Sequence, residues 1–203
     1  MELDPASLDQ RESYQLLISA IVPRPIALVA TISEDGVANL APFSFFTGVC
    51  SKPPMVGLSV VRRRGEKKDT LRNIEANSEF VVNVVSAGMA QAMNQTAADY
   101  APEVDEFSAA GLTQVASLRV RPSRVGESLI SLECRLVEIK DFGKMPYISS
   151  FVIGEVVQFH LKDAVYEDGV VDFGMLNAVG RMGRDLYCHT GDVFEMNRPR
   201  MDE

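Results

Sequence analysis

A short run of cations precedes the predicted start of a helix at Asp69. Its members are Arg62, Arg63, Arg64, Lys67 and Lys68. The first N–H groups of a helix have no acceptor within it and favour an anion, and neighbouring cations add charge-assisted hydrogen bonds. The functional interpretation is a phosphate site, with Lys68 as a point charge, Thr70 as a hydroxyl donor and the first-turn amides completing the shell.

The same run has a second interpretation, as a solvated turn between a strand and a helix. Short basic runs are weak motifs that occur often without a ligand. Asp69 could serve only as the N-cap that begins the helix. The local residues leave both interpretations open.

Polar side chains lie on the strands predicted before this helix. Asn39, Ser44, Thr47 and Ser59 offer donors and acceptors along which a flat ring could lie. Each is also an ordinary strand residue. A phosphate site beside such strands fits FMN, a cofactor that brings its own redox chemistry.

Other common catalytic motifs are absent from the sequence. It has no GxGxxG, GxxxxGK[ST], HExxH or GxSxG pattern, and its two histidines, His160 and His189, are far apart. Three cysteines are scattered without CxxC spacing, which indicates neither zinc nor a disulfide framework and favours a reducing cytoplasm. We therefore predict no metal site, assign no catalytic side chain and expect the chemistry to take place on the N5 of the flavin.

The composition argues against nucleic acid and membrane as binding partners. The chain has 203 residues and a formal net charge of −8, which argues against a general nucleic-acid binder. Its apolar runs are far shorter than the roughly 18 residues of a membrane-spanning helix, and its acidic N-terminus does not resemble a secretory signal. We expect a cytoplasmic protein that binds neither nucleic acid nor membrane.

Hydrophobic patterning predicts a mainly β chain with peripheral helices. Ser7 and Gln10 have the spacing of a capping box for a helix that ends near Ser19. The stretch 100–111, with the acidic residues Glu103, Asp105 and Glu106, reads as a surface loop with a helical turn. The residues from 172 read as a tail that wraps another part of the protein or a partner subunit. Six or seven strands predict a single antiparallel barrel spanning residues 1–203. The main predicted strands are 26–33, 37 onward, 55–61, 79–85, 129–139 and 151–161, and the later helices are 69–77 and 87–97.

Several segments, in order, resemble the flavin reductase-like family of FMN-binding split β-barrels, which includes flavoredoxin-type proteins. The most specific pair is NLAPFSFF at 39–46 followed by KDTLRNI at 68–74. Further matches are PRPIALVATISEDG at 23–36, VDEFSAAGLT at 104–113, SLECRLVEI at 131–139, FVIGEVVQFH at 151–160 and VGRMGRDLY at 179–187.

The resemblance implies a six-stranded antiparallel Greek-key split β-barrel that forms a homodimer, with FMN near the subunit interface. Which of the three arginines of the basic run reaches the ligand stays open. The residues implied to bind FMN are Asn39, Ala41, Pro42, Ser44 and Thr47 at the isoalloxazine and ribityl chain, Ser59 and Arg62 close by, Lys68, Asp69 and Thr70 around the phosphate, and Arg181, Gly183 and Tyr187 in a segment that closes over the flavin.

The resemblance also implies an FMN-binding oxidoreductase. One expectation is an NAD(P)H-dependent flavin reductase that transfers hydride to the bound flavin and passes electrons to an acceptor. The alternative is a flavoredoxin-type electron-transfer flavoprotein without NAD(P)H activity of its own. A third possibility is a barrel whose basic loop holds no ligand. The identity of the acceptor and the choice between NADH and NADPH are left open.

Overall fold

The computed structural model describes residues 1–62 and 65–199 of the chain. Arg63 and Arg64, two cations of the basic run, lie outside the described residues. Strands predominate in the described part, and in chain order they are β1 (Arg24–Pro25), β2 (Ala27–Ile32), β3 (Ala38–Phe43), β4 (Phe46–Ser51), β5 (Pro54–Val61), β6 (Glu79–Val84), β7 (Gln114–Val115), β8 (Arg124–Val125), β9 (Ile130–Phe142), β10 (Ser149–Leu161), β11 (Tyr166–Glu167), β12 (Val170–Val171), β13 (Val179–Arg181) and β14 (Tyr187–His189).

The largest sheet has the strand order β3-β2-β6-β9-β10-β5-β4, and every pairing in it is antiparallel. Only Ser44 and Phe45 separate β3 from β4, although these strands lie at opposite edges of the sheet. Four residues reach only about 10 Å when extended. The two edges therefore lie close together, and the sheet curls on itself as a barrel does.

The mainly β, antiparallel prediction is confirmed, and the strand count differs from it. The resemblance implied six strands, whereas this sheet has seven. The strand counts differ because the segment after residue 37, which the sequence pattern presented as one strand, forms β3 and β4. β3 pairs with β2 and β4 pairs with β5, so the bend at Ser44 and Phe45 divides what the sequence pattern presented as one strand.

The central strands are buried on both faces. Side chains alternate along β2, so that Val29 joins one apolar cluster with Leu71 and Phe80, while Leu28 joins a second cluster with Phe107. Helices pack on both faces, because Leu71 and Ile74 belong to the first cluster and Met93 and Phe107 to the second. The helices are α1 (Gln10–Ala20), α2 (Asp69–Asn77), α3 (Ala90–Gln95), α4 (Glu106–Ala110) and α5 (Phe173–Leu176).

The first helix begins later than the sequence predicted. Ser7 ends a 3-10 turn that starts at Pro5, and Asp9 is the N-cap of α1. The Asp9 carboxylate accepts from the Glu12 N–H at 2.8 Å, and the Glu12 carboxylate accepts from the Asp9 N–H at 2.9 Å. The capping box predicted at Ser7 and Gln10 is therefore wrong, because the Asp9 and Glu12 pair forms it instead.

The C-terminal segment packs against the same chain. β13 pairs with β1 and with β14, and the Val179 N–H donates to the Val85 carbonyl at 3.1 Å. This pairing brings Arg181 and Tyr187 back to the start of the barrel. Of the helices within residues 1–62 and 65–199, none combines the length and apolar character needed to cross a lipid bilayer.

Candidate functional site

A cavity of about 580 Å³ opens at the N-terminus of α2, and we call it the α2 cavity. The N–H groups of Leu71 and Arg72 both donate to the Lys68 carbonyl, at 3.0 and 3.1 Å. The N–H groups of Asp69 and Thr70 precede these bonds and have no acceptor within the helix. The helix thus begins with donors that favour an anion at the cavity.

Two elements bring predicted site residues to this cavity. β3 contributes one wall and the start of α2 a second, and residues 96–100 and Glu106 also line the cavity. The predicted residues that line it are Asn39, Ala41, Pro42, Lys68, Asp69 and Thr70.

The cations around the α2 cavity differ in their partners. Lys67 donates to both carboxylate oxygens of Glu75, at 2.7 and 2.8 Å, and Arg72 pairs with Asp69 at 2.8 Å. The Lys68 Nζ instead lies 5.5 Å from the centroid of the Phe43 ring. Within the described residues no carboxylate is at ion-pair distance from Lys68, so its charge is available to a ligand.

A buried polar network supports the wall formed by β3. Asn39 Oδ1 accepts from the Thr70 hydroxyl at 2.9 Å and from the Thr31 hydroxyl at 3.0 Å. Asn73 donates to the Thr31 hydroxyl at 3.1 Å. Thr70 is almost fully buried, and its hydroxyl proton is directed to Asn39. The backbone N–H of Thr70 is therefore the donor left for a ligand.

Glu106 completes this network, and sequence reasoning missed it. The residue begins α4, and its Oε2 accepts from both the Asn39 amide and the Leu40 N–H. Burial raises the pKa of Glu106 to about 7, although these two hydrogen bonds favour the ionised form. The helical turn predicted here is α4, which Asp105 caps, but the segment is not wholly at the surface, because Glu106 and Phe107 are buried. That cap beside a large apolar residue was the available signal.

A second cavity of about 170 Å³ adjoins the first, and we call it the arginine cavity. Pro42 and Ala97 line both cavities. Among the described residues, no carboxylate lines the arginine cavity. Its polar lining consists of the predicted residues Ser44, Arg181 and Tyr187 together with Tyr14, Arg24 and Arg184, which the sequence analysis did not select.

Arg24 is buried, with 4% of its surface exposed. Its guanidinium donates to the carbonyls of Ile18 at 2.6 Å, Ile21 at 2.7 Å and Met182 at 2.8 Å. Burial is the main cause that lowers the pKa of Arg24 from its ordinary value, and the neighbouring Arg181 charge acts in the same direction. This side chain joins the end of α1 to the C-terminal segment.

Arg181 has partners within its own segment. Its guanidinium donates to the Tyr187 hydroxyl and to the Arg184 carbonyl, the latter at 2.6 Å. Its guanidinium carbon also lies 4.5 Å from the centroid of the Tyr187 ring. The pair forms one wall of the arginine cavity.

Two predicted residues on β4 and β5 line neither cavity. Thr47 is exposed, and its hydroxyl donates to the Gly48 carbonyl at 3.2 Å. The Ser59 hydroxyl shares a hydrogen bond of 2.5 Å with the Ser149 hydroxyl of β10. Neither side chain is placed to contact a ligand in these two cavities. The role of Thr47 and Ser59 in binding FMN stays a prediction.

Arg62 and Gly183 also lie outside both cavities. The Arg62 guanidinium forms an ion pair with Asp141 of β9. Gly183 lies against Ser19, whose Oγ would be 3.1 Å from a Cβ added at the glycine. Among Arg62, Lys67 and Lys68, the described cations of the basic run, only Lys68 faces the α2 cavity without a carboxylate partner.

Comparison with known proteins supports these assignments of fold. Residues 19–182 match the family model described as the flavin reductase like domain. The nitrilotriacetate monooxygenase component B from Bacillus cereus is similar in structure, with a TM-score of 0.94 and 34% identity over 97% of this chain and 98% of that chain.

Two further solved structures are similar over nearly their whole length. The 2-nitrobenzoate 2-nitroreductase NbaA from Pseudomonas fluorescens has a TM-score of 0.89 and 30% identity, covering 98% of this chain and 96% of that chain. A split barrel domain protein from Shewanella frigidimarina NCIMB 400 has a TM-score of 0.84 and 25% identity, covering 98% of this chain and 100% of that chain. The predicted split-barrel fold is confirmed.

Proposed function

The chain belongs to the flavin reductase like domain family, and we propose that it binds FMN and acts as an NAD(P)H-dependent flavin reductase. The family makes it a flavin-type oxidoreductase. The choice of FMN, the use of NADH or NADPH and the delivery of electrons to an acceptor are the proposed part. Two similar proteins, named as a monooxygenase component and a nitroreductase, support a role in oxidation and reduction.

The proposal rests on the hydrogen-bond donors at the N-terminus of α2. The backbone N–H groups of Asp69 and Thr70 have no acceptor within the helix, and they lie at the same cavity as Lys68, which has no carboxylate partner within residues 1–62 and 65–199. A phosphate monoester carries close to two negative charges at neutral pH and offers three strong acceptor oxygens. The donors present therefore fit the phosphate of FMN better than they fit riboflavin, which lacks that group.

The rest of the proposed cofactor would extend along β3. Ala41 and Pro42 form the wall between the phosphate end and the arginine cavity, where Ser44, Arg181 and Tyr187 would contact the ring or ribityl chain. When bound, FMN supplies the redox chemistry because its ring accepts two electrons, and its N5 is the atom that takes hydride. The side chains would bind and orient the ligand, and none is proposed as a proton donor in that transfer.

The proposal includes a homodimer of single-domain subunits. β4 is an edge strand of the main sheet, and most of its residues are exposed. Val49 on this strand and Leu17 on α1 are about half exposed, with 46% and 51% of their surfaces accessible. Exposed apolar side chains beside an open strand edge fit association with a second copy. A monomeric mass in light scattering would remove this part of the proposal.

The test is anaerobic reduction of the FMN-loaded protein, followed by its visible absorbance. We expect NADH or NADPH to bleach the flavin band within seconds, because a nicotinamide can reach a ring held in an open cavity. Dithionite serves as the control for a reducible flavin. If dithionite bleaches the protein and neither nicotinamide does, the reductase is excluded and the electron-transfer flavoprotein is favoured. A protein that takes up no FMN would contradict both.

A further inference from the structure

Glu106 is a buried acid in a cavity that is proposed to bind an anion, and the proposed reaction does not explain it. We infer that Glu106 positions the β3 wall of the α2 cavity and takes up a proton when a phosphate dianion binds beside Lys68. The inference rests on the proposed function, because FMN is the ligand that would bring the dianion. It adds a positioning residue and a coupling between cofactor binding and pH.

The positioning role follows from the hydrogen bonds of one carboxylate oxygen. Glu106 Oε2 accepts from the Asn39 amide and from the Leu40 N–H, so it holds a side chain and the backbone of β3 together. Asn39 can then present its Oδ1 to the Thr70 hydroxyl. Two hydrogen bonds therefore connect Glu106 to the first turn of α2, where the phosphate would bind.

The proton would reside on the other oxygen. Because Oε2 accepts two N–H groups, protonation at Oε1 leaves both of these bonds intact. The neutral carboxyl can thus hold Asn39 and Leu40 as the carboxylate does. The step is a simple transfer of one proton from solvent to the Glu106 carboxylate.

The charges around Glu106 favour this uptake. Asp69 on α2 and Asp105 on its own helix both raise the pKa of Glu106, in addition to burial. Two nearby positive charges are already paired, Arg72 with Asp69 and Lys67 with Glu75. The titratable and charged groups that line the cavity with Glu106 are Glu66, Lys67, Lys68, Asp69, Arg72, Asp99 and Tyr100.

A bound dianion, like the carboxylates of Asp69 and Asp105, raises the pKa of Glu106 because it is a nearby negative charge. It raises the pKa of Glu106 above its value of about 7 in the free protein. Between the free and the bound pKa values, the carboxyl is protonated only in the complex. The affinity for FMN therefore rises as the pH falls towards about 7, and this group contributes no further change below that pH.

The experiment is calorimetric titration of the protein with FMN at about pH 8, in two buffers of different ionisation enthalpy. The second phosphate pKa is about 6, so the ligand itself is a dianion there. We expect uptake of a substantial fraction of a proton per FMN, up to about one. Riboflavin, which lacks the phosphate, should bind with no uptake.

Two variants separate Glu106 from other acids. Glu106→Gln keeps an oxygen that accepts the two N–H groups but cannot take up a proton, so uptake should vanish and the FMN affinity should be flat between about pH 7 and pH 9. Glu127→Gln is the matched control, because Glu127 also accepts a backbone N–H and a hydroxyl, from Thr113, but lines neither cavity. It should retain the uptake of the unaltered protein.

Each outcome has a distinct meaning. FMN binding without proton uptake, or uptake that persists in Glu106→Gln, would overturn the inference and leave the proposed function standing. No binding of FMN would overturn the proposed function itself. If Glu106→Gln does not fold, the unaltered protein decides alone: its FMN affinity must fall between about pH 7 and pH 9, by up to tenfold per pH unit, while its riboflavin affinity stays constant.

Discussion

The α2 cavity and the arginine cavity share a wall at Pro42 and Ala97 but differ in charge. The arginine cavity has three guanidinium groups and, among the described residues, no carboxylate in its lining. The α2 cavity is lined by cations and carboxylates together. A count of charges alone would place an anion in the arginine cavity.

Hydrogen bonding weakens that conclusion, because two of the three guanidinium groups already have acceptors within the protein. The Arg24 guanidinium is occupied by three carbonyls, and Arg181 donates to Tyr187 and to the Arg184 carbonyl. At the α2 cavity, the Lys68 charge and two helix N–H groups have no such acceptors among the residues that the structure describes. The comparison teaches that an anion site depends on which donors are left without protein acceptors, more than on how many cations are near.

The largest expected effect tests whether Arg24 is structural. Arg24→Met leaves three carbonyls, one of them buried, without their donor, and we expect the free energy of unfolding to fall by about 3 kcal/mol. Chemical denaturation measures this loss. Arg121→Met is the control, because Arg121 is exposed beside Glu79 and its surface pair should contribute less than about 1 kcal/mol. Unchanged stability together with lost FMN binding would make Arg24 a ligand-binding residue instead.

A loss of intermediate size is expected at Lys68, where the phosphate of FMN is proposed to bind. Lys68→Ala removes one charge-assisted contact, and we expect FMN binding to weaken by about 1 to 3 kcal/mol while riboflavin binding is nearly unchanged. Flavin fluorescence titration measures both affinities. Lys67→Ala is the matched control, since its ammonium is paired with Glu75 and should affect FMN much less. Equal losses for FMN and riboflavin in Lys68→Ala would move the phosphate elsewhere.

The smallest loss of affinity is expected at Arg181, where the ring or ribityl chain of FMN is proposed to bind. Arg181→Gln shortens a side chain at the arginine cavity, and we expect FMN and riboflavin to weaken equally, by about 0.5 to 1.5 kcal/mol. The same fluorescence titration compares the two ligands. A loss confined to FMN would instead place the phosphate in the arginine cavity and reverse the comparison between the two regions.

The element types and much of the family likeness could be read from local patterns. The apolar, β-branched run of β2 and the alternation along β9 depend on neighbouring residues, so they are visible in the sequence. Asp69 is not the N-cap of α2, because it is the first helical residue and Lys68 precedes it without a side-chain cap hydrogen bond. The NLAPFSFF and KDTLRNI segments also identified the two elements that line the α2 cavity. The cytoplasmic location, the single domain and the homodimer stay predictions.

Residues close together in the chain are enough to predict the type of most strands and helices and the position of the basic run. Which charges are neutralised depends instead on contacts that exist only in the folded protein. Glu106 meets Leu40 across 66 positions, Arg24 meets Met182 across 158, and Arg62 meets Asp141 across 79. Local periodicity carries no information about such distant pairs, yet hydrogen bonds and ion pairs act only between groups that the folded chain brings into contact.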